Sequence, residues 1–371
     1  MRIVYLLTSL GIGGAERQTL VVAARMQRLG HTVAVLVLRP RLPEEWPTSL
    51  LTVHLNMKRT PLSLLRCLLR GRDFLREFHP EVVHSHSFHA NLVARLLRIS
   101  APSSRLVCTI HNVYEGGGRR MLLYRLTDPL ATSTTAVSAA AMERFVRRGA
   151  VPKHKCVVVS NGVDTEEFSP GAERRVAKRR EMLVGREFIW LAAGRITPAK
   201  DISNLLRAFA RLRQSRSDAR LWIAGAAVDA EFASDQALSL ELGLVESVCW
   251  LGLRRDLMAL MDAADGFVLA SAWEGMPLVV GEAMAMEKLV VATEAGGVRE
   301  LAGDAALLVP TRDAEALAQA MLQAMEMPEE DRLALGKSAR DRIVERFGMA
   351  AKAREWEAFY RTLPQVPSVS G

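Results

Sequence analysis

At 371 residues, 49% apolar, the chain is long for one core; at about one domain per 150 residues it points to two domains, each able to bury a core. Its four cysteines, Cys67, Cys108, Cys156 and Cys249, are isolated, without CxxC or paired spacing, which argues against a disulfide framework and a structural zinc site and makes a reducing cytoplasm the expected compartment. The formal charge of +8 is uneven: Met1 to Pro170 holds 23 Lys/Arg against 12 Asp/Glu and the remainder 26 against 29, so the first part carries the whole basic surplus. Such a surplus favours anionic partners, lipid headgroups among them, or is simply a solvated basic surface.

Ile3 to Leu7 reads as a first strand, too short for a secretory apolar segment, and no apolar run reaches membrane-spanning length. Gly11-x-Gly13-Gly14 turns it into a helix with Leu20, Val21, Ala24 and Leu29 on its apolar positions, and Thr32 to Leu38 is the next strand. Strands at Val82-Val83, Leu106 to Ile110, Thr134 to Val137 and Cys156 to Val159 alternate with helices near 61–78, 88–98, 119–131 and 139–148. That alternation predicts a parallel sheet covered on both faces. Turn residues cluster at Asn161-Gly162-Val163-Asp164 and Ser169-Pro170-Gly171, followed by a charged segment from Glu173 to Glu181, and the domain boundary is placed there.

Phe188 to Ala193 then repeats the opening logic, a strand running into Gly194-Arg195 and Lys200, with a helix from about Asp201. Strands at Leu221 to Ala224, Val248 to Leu251, Phe267 to Ala270, Leu289 to Ala292 and Leu307 to Val309 complete a second sheet; helices fill 313–362, and Gln365 to Gly371 read as a frayed end. The predicted division is 1–170, 171–348 and a closing segment, 349–371.

The richest chemistry lies between Ser271 and Glu300. A buried strand feeds a loop carrying Glu274, Pro277 suits the first turn of the next helix, and Glu282 falls about two turns into it. Both carboxylates therefore belong at the carboxyl edge of a sheet, where ligands of α/β domains bind. Gly296-Gly297 allows close approach to the backbone where another helix starts. Gly194, Arg195 and Lys200 place two cations after a strand, a spacing that suits a diphosphate.

Other motifs carry competing readings. Gly11-x-Gly13-Gly14 resembles a dinucleotide fingerprint, but the second strand ends in Arg39 and not in the acidic residue that would hold a ribose. His84, His86 and His89 have tempting metal spacing, yet a strand end and a helix start should splay them apart. His111, directly after a strand, is the better functional candidate. Leu62 to Phe78 interleaves leucine and arginine at helical spacing, and is read as a helix packing its apolar stripe on the sheet with arginines in water; a membrane-surface helix is the alternative. There is no DxD, so a divalent cation on a diphosphate has no evident ligands.

Gly11-x-Gly13-Gly14-Ala15-Glu16-Arg17, Asn161-Gly162-Val163-Asp164, Gly194-Arg195 with Lys200, Glu274 with Glu282, and Gly296-Gly297-Val298-Arg299-Glu300 come in an order that, over nearly the whole chain, resembles the retaining GT-B glycosyltransferases of family 4. The resemblance implies an α/β fold of two Rossmann-like domains facing each other across a cleft, the first on the acceptor side and the second binding the donor, with a last helix, 349–362, crossing back. It implies a metal-independent transfer of a hexose-type sugar from a UDP- or GDP-sugar to a glycan or lipid-linked acceptor, with no cofactor, no resident metal and no nucleic acid partner. Arg195 and Lys200 would hold the diphosphate, Glu282 the ribose and Glu274 the sugar hydroxyls. Gly13, Gly14, Gly194, Gly275, Met276, Pro277 and Leu278 would line the donor site, and His111 would lie near sugar and acceptor. The implied location is cytoplasmic, peripheral at the inner membrane face. Gly281 departs from the family, which usually has a larger apolar residue before the glutamate. A nucleotide-sugar epimerase of the same fold and a non-catalytic nucleotide-sugar-binding scaffold are the alternatives.

Overall fold

The computed structural model describes residues 1–364 other than 12, 43, 44, 47, 101, 103 and 227–229; the expected frayed end lies outside the described residues. The chain forms two compact units, Met1–Gly162 with Met349–Gly371, and Val163–Gly348. Val163 to Pro170 therefore belongs with the second unit and not, as the turn cluster suggested, with the first.

The first unit runs β1 (Arg2–Leu7), α1 (Gly14–Arg28), β2 (Thr32–Val37), β3 (Leu51–His54), α2 (Pro61–Phe78), β4 (Val82–His86), α3 (Phe88–Ser100), β5 (Arg105–Ile110), α4 (Gly118–Thr127), β6 (Ser133–Ala136), α5 (Ala139–Arg147) and β7 (Cys156–Val158). Its seven strands lie in the order β3-β2-β1-β4-β5-β6-β7, all parallel. Alternation along β1 divides the core: Ile3, Tyr5 and Leu7 face one apolar layer with Leu20 and Met26 of α1, while Val4 and Leu6 face another with Cys67, Leu75 and Phe78 of α2.

α2 starts at Pro61 behind a Thr60 cap and packs Cys67, Gly71, Leu75 and Phe78 inward. The outward side departs from the expected arginine face. Leu62, Leu65 and Leu69 are exposed there beside Arg66 and Arg70.

The second unit runs α6 (Ala172–Glu181), β8 (Phe188–Ala193), α7 (Ile202–Ser215), β9 (Ala219–Ala224), α8 (Ala230–Glu241), β10 (Val248–Gly252), α9 (Leu257–Ala263), β11 (Gly266–Leu269), α10 (Leu278–Ala285), β12 (Leu289–Thr293), α11 (Val298–Ala302), β13 (Leu307–Val309), α12 (Ala314–Glu326) and α13 (Glu329–Phe347). Its six parallel strands follow the order β10-β9-β8-β11-β12-β13. Each sheet thus reverses direction once, between β1 and β4 and between β8 and β11, and the crevice beyond such a reversal is where α/β sheets bind ligands.

The charged segment at the expected domain boundary is the helix α6, docked on α9 by its own charges. Arg174 Nε donates to Asp262 Oδ2 at 2.6 Å, Arg175 Nη2 to Asp265 Oδ1 at 2.5 Å, and Lys178 Nζ to Asp256 Oδ2 at 2.9 Å. The last helix, α14 (Met349–Thr362), packs in the first unit: Met349, Ala353, Trp356 and Tyr360 join the layer of Ile3 and Tyr5. Tyr360 also binds through polar atoms, its hydroxyl 2.7 Å from His84 Nδ1 and its carbonyl accepting from Arg105 Nη1 at 3.0 Å.

Candidate active site

In the second unit the ends of β8, β11 and β12 are tied to one another. Ala272 N donates to Ala199 O at 2.8 Å, joining the loops after β11 and β8. Thr293 Oγ1, at the end of β12, donates to Ser271 O at 2.7 Å, and Gly297 N to Gly275 O at 2.9 Å. Glycine makes the approach possible: a Cβ on Gly225 would lie 1.8 Å from Gly194 O, and Gly194 itself has φ 144°, with Lys200 Cε folded over it.

On this frame Lys200 Nζ donates to Glu274 Oε1 at 2.6 Å, and Ser271 Oγ donates to the same oxygen at 2.8 Å. Glu274 Oε2 makes no hydrogen bond among the described residues and stays available to a donor. Arg195 is exposed, without an ion pair among the described residues. A cation and a carboxylate from two adjacent strand ends, one half-neutralised by the other, can take up a phosphate oxygen and a hydroxyl at neighbouring points.

Glu282 is buried in α10. The helix begins at Leu278, with Pro277 as its N-cap in an extended conformation, so Glu282 is its fifth residue, little more than one turn in and not the expected two. Pro277 has no N–H, so only Met276 and Leu278 of that triplet carry amides that could serve a ligand. Gly281 acquires a structural reason: a Cβ there would lie 2.7 Å from Val163 Cγ2.

The remaining site candidates lie in the first unit. Gly13 is the uncapped N-terminal residue preceding α1, which starts at Gly14. His111 follows β5, its Nε2 2.9 Å from His86 Nδ1 and its backbone N–H donating to Glu115 Oε1 at 3.0 Å. His84 and His86, two residues apart on a strand, share one face with ring centroids 4.0 Å apart, contrary to the expected splaying, while His89 is exposed on α3. No group of three His, Cys, Asp or Glu side chains among the described residues is arranged to hold a metal ion.

Burial sets the protonation of this cluster. It lowers His111 to about 4 and pushes His84 and His86 well below the usual histidine value. Burial raises Glu115 to about 7, against the opposing effect of the hydrogen bond from Tyr124.

Two family descriptions match the chain: Glycosyltransferase Family 4 over residues 12–167 and Glycosyl transferases group 1 over 173–342. A D-inositol 3-phosphate glycosyltransferase of Corynebacterium aurimucosum is 30% identical over 302 residues, 76% of this chain and 71% of the relative. The chain belongs to the family 4 glycosyltransferases. A second family member of similar length, the N-acetylgalactosamine-N,N'-diacetylbacillosaminyl-diphospho-undecaprenol 4-alpha-N-acetylgalactosaminyltransferase of Campylobacter jejuni, is 28% identical over 80% of this chain and 82% of its own. Among solved structures, Anabaena HepE in complex with UDP and glucose superposes with a TM-score of 0.86, at 21% identity over 98% of this chain and 100% of that one. Sucrose-phosphate synthase from Thermosynechococcus elongatus gives 0.85, also at 21% identity, over 98% and 99%. The fold of this glycosyltransferase is accordingly GT-B, built from two Rossmann-like α/β domains.

Sequence reasoning did not find Ser271, Thr293, Gly225, Glu115 or the pairing of His86 with His111. Position offers a signal for two of them: Ser271 begins the loop that bears Glu274, and Glu115 lies in the loop that His111 opens.

Glu115 supplies a pH test with a defined sign. Its folded pKa lies above the ordinary value, so its contribution to stability is full below about pH 4.5 and is lost as pH rises towards about 7. Glu115→Gln should remove that loss, giving a variant whose stability relative to the native protein improves by about 1–3 kcal/mol between pH 4.5 and pH 8. Urea unfolding across that range measures it; parallel curves for the two proteins would show that Glu115 is an ordinary carboxylate.

Proposed function

We propose that this glycosyltransferase is a retaining hexosyltransferase that uses a UDP- or GDP-sugar donor and a glycan or lipid-linked acceptor, without a divalent metal. The observation that carries the reading is the Lys200–Glu274 pair at the β8/β11 reversal, with Glu274 Oε2 open and Arg195 exposed beside it in sequence. The Anabaena neighbour holds UDP and glucose, which supports a nucleotide-sugar donor. Diphospho-undecaprenol in the name of the Campylobacter relative supports a lipid-linked acceptor.

In this reading Lys200 and Arg195 bind the diphosphate, Glu274 Oε2 accepts from a sugar hydroxyl, and Glu282 accepts from the ribose. The amides of Met276 and Leu278 assist, and Gly194 leaves room for phosphate against the backbone. Gly13 and Gly14, at the start of α1 where the Glu16 carboxylate lies against Gly13, are assigned to the donor, and His111 to the substrate. The C1–O bond to the diphosphate breaks with its electron pair moving to the phosphate oxygen, where the two cations stabilise the charge as it grows. The acceptor hydroxyl adds to C1 on that same face and gives its proton to the departing phosphate. Configuration is kept and no protein nucleophile is used.

The protein would work at the inner membrane face. No helix among the described residues is long and apolar enough to span a membrane. α2 offers a surface mode instead, because Leu62, Leu65 and Leu69 face outward and residues 58–72 contain Lys58, Arg59, Arg66, Arg70 and Arg72 with no acidic residue.

A nucleotide-sugar panel read by thermal shift, followed by turnover of the best binder in EDTA, tests the donor assignment. Lys200→Ala should weaken donor binding and lower turnover by roughly a hundredfold, the scale of losing one charge-stabilising group; full activity in that variant, or none in EDTA, would overturn the reading. For the membrane, vesicles rich in anionic phospholipid should co-sediment the protein at low salt. Replacing Leu62, Leu65 and Leu69 with serine should abolish this, and unchanged sedimentation would place the contact elsewhere.

A further inference from the structure

The first unit contains one buried polar atom whose unmet bonding has a consequence for His111. A neutral imidazole carries one N–H and one lone pair. His86 Nδ1 and His111 Nε2 are 2.9 Å apart, so a single proton lies between them and the tautomers of the two rings are locked together. If His86 is protonated at Nδ1, His111 must carry its own proton at Nδ1; if His86 is protonated at Nε2, His111 is protonated at Nε2.

His86 Nε2 decides between these states. It is buried without a hydrogen-bond partner among the described residues. Its neighbour cannot help, because both ring nitrogens of His84 are committed, Nδ1 to the Tyr360 hydroxyl at 2.7 Å and Nε2 to Thr109 Oγ1 at 2.6 Å. Thr109 Oγ1 is in turn 2.6 Å from Thr135 Oγ1, which fixes that end of the chain of bonds. A buried N–H with no acceptor is rarer and costlier than a bare acceptor lone pair. The proton of His86 therefore belongs on Nδ1. Tyr5, nearly parallel to His86 with ring centroids 6.0 Å apart, and His84 on the same strand hold the ring in that plane.

We infer that His86 is a positioning residue that forces the neutral His111 to present Nδ1–H to the substrate, making it a hydrogen-bond donor to a sugar hydroxyl or phosphate oxygen and not a general base. His111 Nδ1 has no partner among the described residues and is the ring nitrogen left to face a ligand. Burial, which keeps both rings neutral, agrees with this geometry. The inference rests on the proposed substrate contact of His111, and its test separates the two.

Nitrogen-15 spectra of the full-length protein labelled at histidine, near neutral pH, report the tautomer directly, with the His111 signals identified by their loss in His111→Gln. The expected result is a protonated Nδ1 and a bare Nε2 in His111; the reverse pattern, or a rapidly averaged pair, would overturn the inference without involving any activity. His86→Met replaces the donor with a sulfur that can only accept and should draw the His111 proton to Nε2, whereas His86→Asn keeps an amide N–H near the place of Nδ1 and should preserve the native tautomer. With the donor sugar selected by the thermal-shift panel, kcat should fall about tenfold to a hundredfold in the methionine variant and recover in the asparagine variant, with the donor KM little changed in both. Equal losses in the two variants would reduce His86 to a packing role. Full turnover in His111→Gln would instead remove the substrate contact while leaving the tautomer assignment standing.

Discussion

The ion pair between Lys200 and Glu274 depends on chemistry from two strands being delivered to one point. β8 and β11 are adjacent because the sheet reverses its order there, and a parallel sheet directs all its carboxyl ends to one edge. Side-chain oxygen and backbone bonds then tie the loops, so the pair does not rely on its own attraction for its geometry. Both partners are largely shielded, with side-chain exposures of 19% for Lys200 and 12% for Glu274. Stripping one away from such a pair typically costs about 3 kcal/mol, unless a new opposite charge takes its place. A diphosphate arriving at Lys200 would be that charge, and a sugar hydroxyl would offer Glu274 a hydrogen bond in return.

The first unit solves a different problem. Its corresponding strand ends carry histidines and not a cation–carboxylate pair, and burial holds these rings neutral. Neutral groups cannot attract substrate over a distance, but they keep fixed hydrogen-bonding roles through the pH range in which free histidine would change charge. α14 is part of this arrangement: Tyr360 bonds to His84, and Trp356 lies with its ring 4.6 Å from that of His84. The last helix of the chain therefore supports the polar interior of the unit built from its beginning.

Much of this was legible in sequence because the elements that build the sites follow strong local rules. The apolar runs of β1, β8, β11 and β12 and the glycines after them mark strand-to-loop turns without ambiguity, and α2 and α14 fall at their expected bounds. β3 was missed because Leu51–His54 is short and half-exposed, lacking the continuous apolar run of the central strands. α6 gives no helix signal because its polar composition shows no apolar stripe; its docking depends on Asp256, Asp262 and Asp265, 78 to 90 residues away, a distance over which local pattern carries no information. Within the site, Glu274, Lys200 and Glu282 were chosen by residue type and spacing. Ser271 and His86 are defined by what they bond, and that appears only when strands are brought into register.

The central claim is that the nucleotide diphosphate binds where β8 and β11 diverge. A crystal structure of the protein with UDP or GDP tests it most directly. The account predicts diphosphate oxygens within hydrogen-bond distance of Lys200 Nζ, against the backbone at Gly194, with the ribose hydroxyls at Glu282. A nucleotide bound elsewhere, with Lys200 still closed on Glu274, would contradict it.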